Sequence, residues 1–113
     1  MDTKSIAFTA TFSIKDADTK IELFEFTTTV WNRSEGRARM AAKHEAESYT
    51  LAESRKSIRN RYGLTAEQLR AMQENGVINR AFNFFEVELK DFRHNPNPPQ
   101  RRVGERKWSV KAA

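Results

Sequence analysis

Between Ile6 and Ile14 every second residue is apolar: Ile6, Phe8, Ala10, Phe12 and Ile14, separated by Ala7, Thr9, Thr11 and Ser13. A strand turns alternate side chains to opposite faces, so this spacing predicts a half-buried β-strand and excludes a helix over the same stretch. Ile21 to Trp31 reads as a second strand. Phe24, Phe26 and Val30 fall on one face, and β-branched Thr27, Thr28 and Thr29 support extended backbone. The polar link Lys15-Asp16-Ala17-Asp18-Thr19 has the length of a hairpin turn, so the two strands are expected to pair antiparallel.

Helical periodicity follows. Asn32 or Ser34 can accept a hydrogen bond from a free first-turn amide. Ala38, Ala42, Ala46 and Tyr49 then recur at helical spacing. That face is nearly all alanine. It permits close approach to a sheet but gains little from burial, at about 0.8 kcal/mol per methylene-sized group. Thr50-Leu51-Ala52-Glu53 fits a capping box and predicts a new helix from Leu51 to Arg61, stopped by Gly63. In that helix Leu51, Ile58 and Tyr62 define an apolar face. Thr65-Ala66-Glu67-Gln68 is a second box, opening a third helix that ends at Asn75-Gly76. Ala81 to Phe92 reads as a third strand, in which Phe85, Val87 and Leu89 alternate with Glu86, Glu88 and Lys90. Phe82 and Phe84 fall on its other face.

Past Arg93 the character changes. His94-Asn95-Pro96-Asn97-Pro98-Pro99 cannot hold a helix, because proline lacks the amide donor and restrains its predecessor. The expected architecture is therefore α+β in ββαααβ order. Residues 1–92 form a domain with a three-stranded antiparallel sheet and helices on one face. Residues 93–113 form an extended basic tail, in which 107–111 alternate and are compatible with a short edge strand.

Charge is concentrated in that tail. Residues 93–113 contain six basic groups and one acidic group, equal to the net charge of +5 of the whole chain. The remaining 92 residues hold 14 of each sign. Within them, residues 32–61 carry eight basic and four acidic groups, while both flanks are acidic. A cationic segment commonly meets an anion, with nucleic acid the leading example.

Other classes are harder to support. The chain has no cysteine, which excludes disulfides, thiol nucleophiles and thiolate metal sites. His44 and His94 stand apart, with no ligand-spaced cluster, so no metal site is expected. Four scattered glycines make no phosphate-cradling loop, and Glu86 and Glu88 read as solvated carboxylates. No catalytic set, cofactor or membrane span is indicated, and the alternating start does not read as a secretory signal. The expectation is a non-enzymatic cytoplasmic protein.

Two segments are candidates for binding. In the second predicted helix, Arg55, Lys56, Arg59 and Arg61 lie within seven residues, with Arg55 and Arg59 on one face. They suit contact with phosphates, or they form a solvated face whose stems cover apolar surface. In the tail, Arg101, Arg102, Arg106, Lys107 and Lys111 surround Trp108. Cations follow a phosphate backbone while an indole stacks on a base. The same tail also reads as a solubilising terminus, or as a Pro-stiffened arm anchored on a protein partner by Trp108.

Ile58, Gly63, Leu64, Leu69 and Met72 sit where a DNA-binding helix-turn-helix places its apolar and turn residues, so the stretch resembles that motif. It departs at Arg59, a position that family keeps small, and in its flanking strands. The run from Ile58 to Leu69 is similar to the helix pair of a LysM carbohydrate-binding module, without the upstream Gly-Asp-Thr loop. Neither resemblance supplies binding residues. Two functions remain: a module for nucleic acid or nucleoprotein, and a small inhibitor or adaptor, of the kind mobile elements such as phages encode, gripping a host protein. Exposed sheet edges also permit a homodimer.

Overall fold

In the computed structural model, which describes residues 6–77, 83–96 and 108–113, the two alternating segments pair as a long antiparallel hairpin. Strand β1 is Ile6–Asp16 and β2 is Glu22–Asn32. The register sets Phe8 opposite Val30, Ala10 opposite Thr28 and Phe12 opposite Phe26, so one face of the hairpin is apolar along its length. The turn between them is built by Asp16. Its carboxylate accepts the amides of Asp18 and Thr19, each at 2.9 Å, and Lys20 takes the left-handed conformation with φ 64°.

Among the described residues the sheet has four strands, not the expected three. β3 is Phe85–His94 and β4 is Trp108–Ala112, in the order β3-β1-β2-β4 with every neighbour antiparallel. The hairpin therefore lies in the centre, where both strands are paired on both sides. β4 joins because Trp108 and Val110 alternate onto the apolar face, opposite Thr28 and Phe26. In β3 the register shifts between Thr11 and Phe12, leaving Lys90 as the extra residue of a bulge. The extra residue reverses the parity, so Phe92 returns to the face of Val87 and Leu89 and pairs with Ala10.

Among the described residues there are two helices, not three, and only the first packs on this face, while the second packs on the first. Helix α1 runs unbroken from Glu35 to Tyr62 and α2 from Ala66 to Glu74. Ser34 is the N-cap of α1, its hydroxyl accepting the Arg37 amide at 3.4 Å. Gly63, at φ 63°, stops it as expected. The capping box at Thr50 is not used as a start. No glycine or proline lies between Gly36 and Gly63 to end the first segment, and the Thr50 hydroxyl donates to the Glu47 carbonyl at 2.9 Å. The second box is realised: Thr65 and Gln68 bond each other's backbone amides at 3.1 and 2.8 Å.

The buried residues of α1 are Ala38, Ala42, Ala46, Thr50, Ser54 and Ile58, spaced by four throughout. Each step of four overshoots a full turn by about 40°, so the buried stripe winds around the helix. Its first half, all alanine, lies on the sheet over Phe8, Phe12, Ile14 and Phe26. Its second half has turned toward Asn83 and Phe84, where a hydrogen-bonded chain forms. Asn83 donates to Thr50 at 2.9 Å, the Ser54 hydroxyl donates to Asn83 at 3.1 Å, and the Phe84 amide donates to Ser54 at 3.0 Å. This chain fixes the entry to β3 against the middle of α1. The far end of α1 then carries α2.

Candidate functional site

The C-terminal half of α1 and the short α2 form a two-helix arm, and the groove between them has a volume of about 310 Å³. Ile58 and Leu69 are buried, which holds the two helices together. On α2 the residues facing α1 follow helical spacing, namely Ala66, Leu69, Arg70 and Gln73. On α1 the groove is lined by Ala52, Arg55 and Arg59. Three arginine residues from two helices therefore line one concave surface. Arg59 is half-buried, while Arg55 and Arg70 are exposed. Glu74 lies at the rim with Arg55, Arg70 and Gln73, but among the described residues no carboxylate pairs with any of the three arginines.

The sheet treats its cations differently. Lys15 pairs with Glu88, Lys20 with Glu86, and Arg93 with Asp91 at 3.2 Å. Lys90 bridges Glu25 at 3.1 Å and Glu22 at 3.2 Å, and these two carboxylates hold its ammonium above the usual lysine value. Among the described residues these sheet cations are thus ion-paired, whereas the three groove arginines are not, although Glu74 stands at the rim.

Arg55 and Arg59, expected to share a face, do so and line the groove. Lys56 and Arg61 are exposed but do not line it. Arg59 and Arg61 in the last turn also oppose the negative end of the α1 dipole. Arg70 was not singled out by sequence, because it stands alone in an acidic stretch. The signal was its place beside Leu69 on the face of α2 that turns to α1. Tyr62, expected on the buried face, is instead 66% exposed. Tyr62 is one step of four beyond Ile58, at the last residue of α1 before the stop at Gly63, and the buried stripe ends at Ile58; Tyr62 also stands three residues from Arg59 and seven from Arg55, near their face.

Arg101, Arg102, Arg106 and Lys107 lie outside the described residues. Trp108 packs on Phe26 and Tyr49, with ring centroids at 5.4 and 5.2 Å. Lys111 is exposed on β4, opposite Glu25. His44 is exposed on α1, and His94 sits edge-on to Phe8 at 6.1 Å. Among the described residues no three metal-ligating side chains cluster, and no helix is long and apolar enough to cross a membrane.

The resemblance of the arm to a helix-turn-helix weakens on two counts. Arg59 lies between the helices where that motif packs a small residue. The outward face of α2, which would enter a DNA groove, carries Glu67 beside Ala71, and this carboxylate would oppose phosphates. No protein-family model, no curated protein and no solved structure matches this chain.

Proposed function

We propose that the chain is a small non-enzymatic intracellular module that binds nucleic acid, free or in a nucleoprotein, through the phosphate backbone. The observation that carries this reading is the convergence of Arg55, Arg59 and Arg70 at one groove with no carboxylate paired to them. Like charges lining one groove repel one another, and a polyanion relieves that cost. Their planar forks also match phosphate oxygens in geometry. Lys56 and Arg61 extend the same end of α1, and the tail cations Arg101, Arg102, Arg106, Lys107 and Lys111 add to the backbone contacts. Trp108 anchors β4, and with it the end of the basic segment. Contacts of this kind position a strand without reading its sequence.

A second reading is an inhibitor or adaptor that grips a host protein. It is favoured by the two sheet edges, β3 and β4, each paired on one side only among the described residues.

The test is fluorescence anisotropy of labelled single- and double-stranded oligonucleotides. The full chain is compared with two charge variants, Arg55→Gln/Arg59→Gln/Arg70→Gln in the groove and Arg101→Gln/Arg102→Gln/Arg106→Gln/Lys107→Gln in the tail. Loss of binding in either variant supports the reading. Equal affinity in all three proteins, or none in the parent at low salt, refutes it and leaves the protein-partner reading.

A further inference from the structure

The groove arginines share their helical face with an exposed aromatic ring, and this narrows the kind of nucleic acid. Arg55, Arg59 and Tyr62 are spaced by four and three, which places them in a row along α1. Tyr62 is 66% exposed at the last turn of the helix, directly before the stop at Gly63. Most other large side chains of its kind are engaged: Tyr49 packs on Phe26 and Trp108, and Phe8 on Phe92. A tyrosine left in water beside a row of unpaired guanidinium groups has the composition of a single-strand site, in which cations follow the backbone and a ring receives a base.

Duplex fits less well. Its bases are stacked inside the helix, so Tyr62 would have no free face to meet. The element best shaped for a groove, α2, presents Glu67 outward.

We infer that Arg55, Arg59 and Arg70 hold the phosphates of a single strand while Tyr62 stacks on one of its bases. This rests on the nucleic-acid reading above and goes beyond it by naming the strand state and the base contact. Stacking of this kind contributes enough to change affinity by roughly ten-fold or more per base. It tolerates any base, because every base offers a ring face.

The experiment compares three labelled probes with the full chain: an oligothymidylate of about ten nucleotides, an abasic sugar–phosphate oligomer of the same length, and a duplex. Each is titrated with the parent protein, Tyr62→Ala and Tyr62→Phe. Circular dichroism confirms that the variants are folded, which the exposure of Tyr62 leads us to expect. The parent should prefer the oligothymidylate to both other probes. Tyr62→Ala should lose roughly ten-fold or more on the oligothymidylate, with no change on the abasic oligomer, and Tyr62→Phe should bind as the parent does. The inference is overturned if Tyr62→Ala binds the oligothymidylate as the parent does, if it weakens both single-strand probes equally, or if duplex is preferred. In those outcomes the broader reading survives, since the parent still binds. If the parent binds none of the probes at low salt, both fail together, and an acidic protein surface becomes the ligand to seek.

Discussion

Asn83 and Ser54 stand 29 residues apart in sequence and share a hydrogen bond of 3.1 Å between helix and sheet. The Asn83 carboxamide oxygen also accepts the Phe85 amide at 3.0 Å, while its nitrogen donates to Thr50. Ser54 is fully buried and Asn83 half-buried, and the side-chain oxygens of Thr50, Ser54 and Asn83 all have partners. The middle of α1 is thereby pinned to the start of β3. Removing the carboxamide takes one partner from each of the Thr50 and Ser54 hydroxyls and leaves the Phe85 amide without its acceptor, while Thr50 keeps the Glu47 carbonyl and Ser54 keeps the Phe84 amide. Asn83→Ala is therefore expected to destabilise the fold by about 1–3 kcal/mol in urea unfolding. An unchanged midpoint would show that the network contributes nothing to stability.

The alanine stripe sets how closely α1 approaches the sheet. Ala42 has no exposed surface and lies over the Phe8–Phe26 core. Ala42→Leu inserts three heavy atoms where none fit and is expected to cost about 1–3 kcal/mol. The neighbouring exposed change Lys43→Leu should stay within about 0.5 kcal/mol. Thermal unfolding of the pair checks this, and equal effects would contradict the packing described.

Trp108 belongs to an aromatic cluster with Phe26 and Tyr49. Its ring is half-buried, so Trp108→Ala is expected to cost roughly 2–3 kcal/mol, less than the 3–5 for a fully buried aromatic. It should also free β4 from β2, visible as faster amide exchange across residues 108–112. For the same reason a truncation at residue 92 would remove a strand along with the basic segment, and point substitutions are the cleaner way to probe the tail.

The turn carboxylate of Asp16 provides a pH test. The amides of Thr19 and Asp18 stabilise its ionised form and hold its pKa below the ordinary value of 3.8. A group with a lowered folded pKa contributes stability that is present above its unfolded value and disappears as pH falls through the folded value. The melting temperature of the parent should therefore fall more than that of Asp16→Asn between about pH 5 and pH 2. The asparagine oxygen still accepts the amides but does not titrate. Parallel curves for the two proteins would contradict the turn geometry.

Strand β1 was legible because its alternation is strict, and the Asp16 turn because its polar run separates two such segments. The alternation reading of β3 stopped at Phe92, and its last two residues lay beyond the predicted end. The bulge at Lys90 explains why: one extra residue moves the apolar set from odd to even positions, and no single position marks it. The continuity of α1 was hidden by Thr50. A Thr-x-x-Glu pattern marks a helix start only where the backbone before it is not already helical. Tyr62 continues the spacing of Ile58 by four, but it is the last residue of α1 and the buried stripe ends one step before it, which spacing alone does not show. Arg55 and Arg59 were recognisable from their own spacing, but the groove required knowing which face of α2 turns inward. Arg70 became a site residue only there.

The central claim is that the cationic groove binds a phosphate backbone, and its most direct measurement is the salt dependence of affinity. Binding of a single-stranded oligonucleotide is followed across a salt series for the parent and for Arg55→Gln/Arg59→Gln/Arg70→Gln. Each phosphate contact adds about 0.7 to the slope of log affinity against log salt on a single strand. The variant should therefore bind more weakly, with a slope shallower by about 2. Identical slopes and affinities for the two proteins would contradict the account.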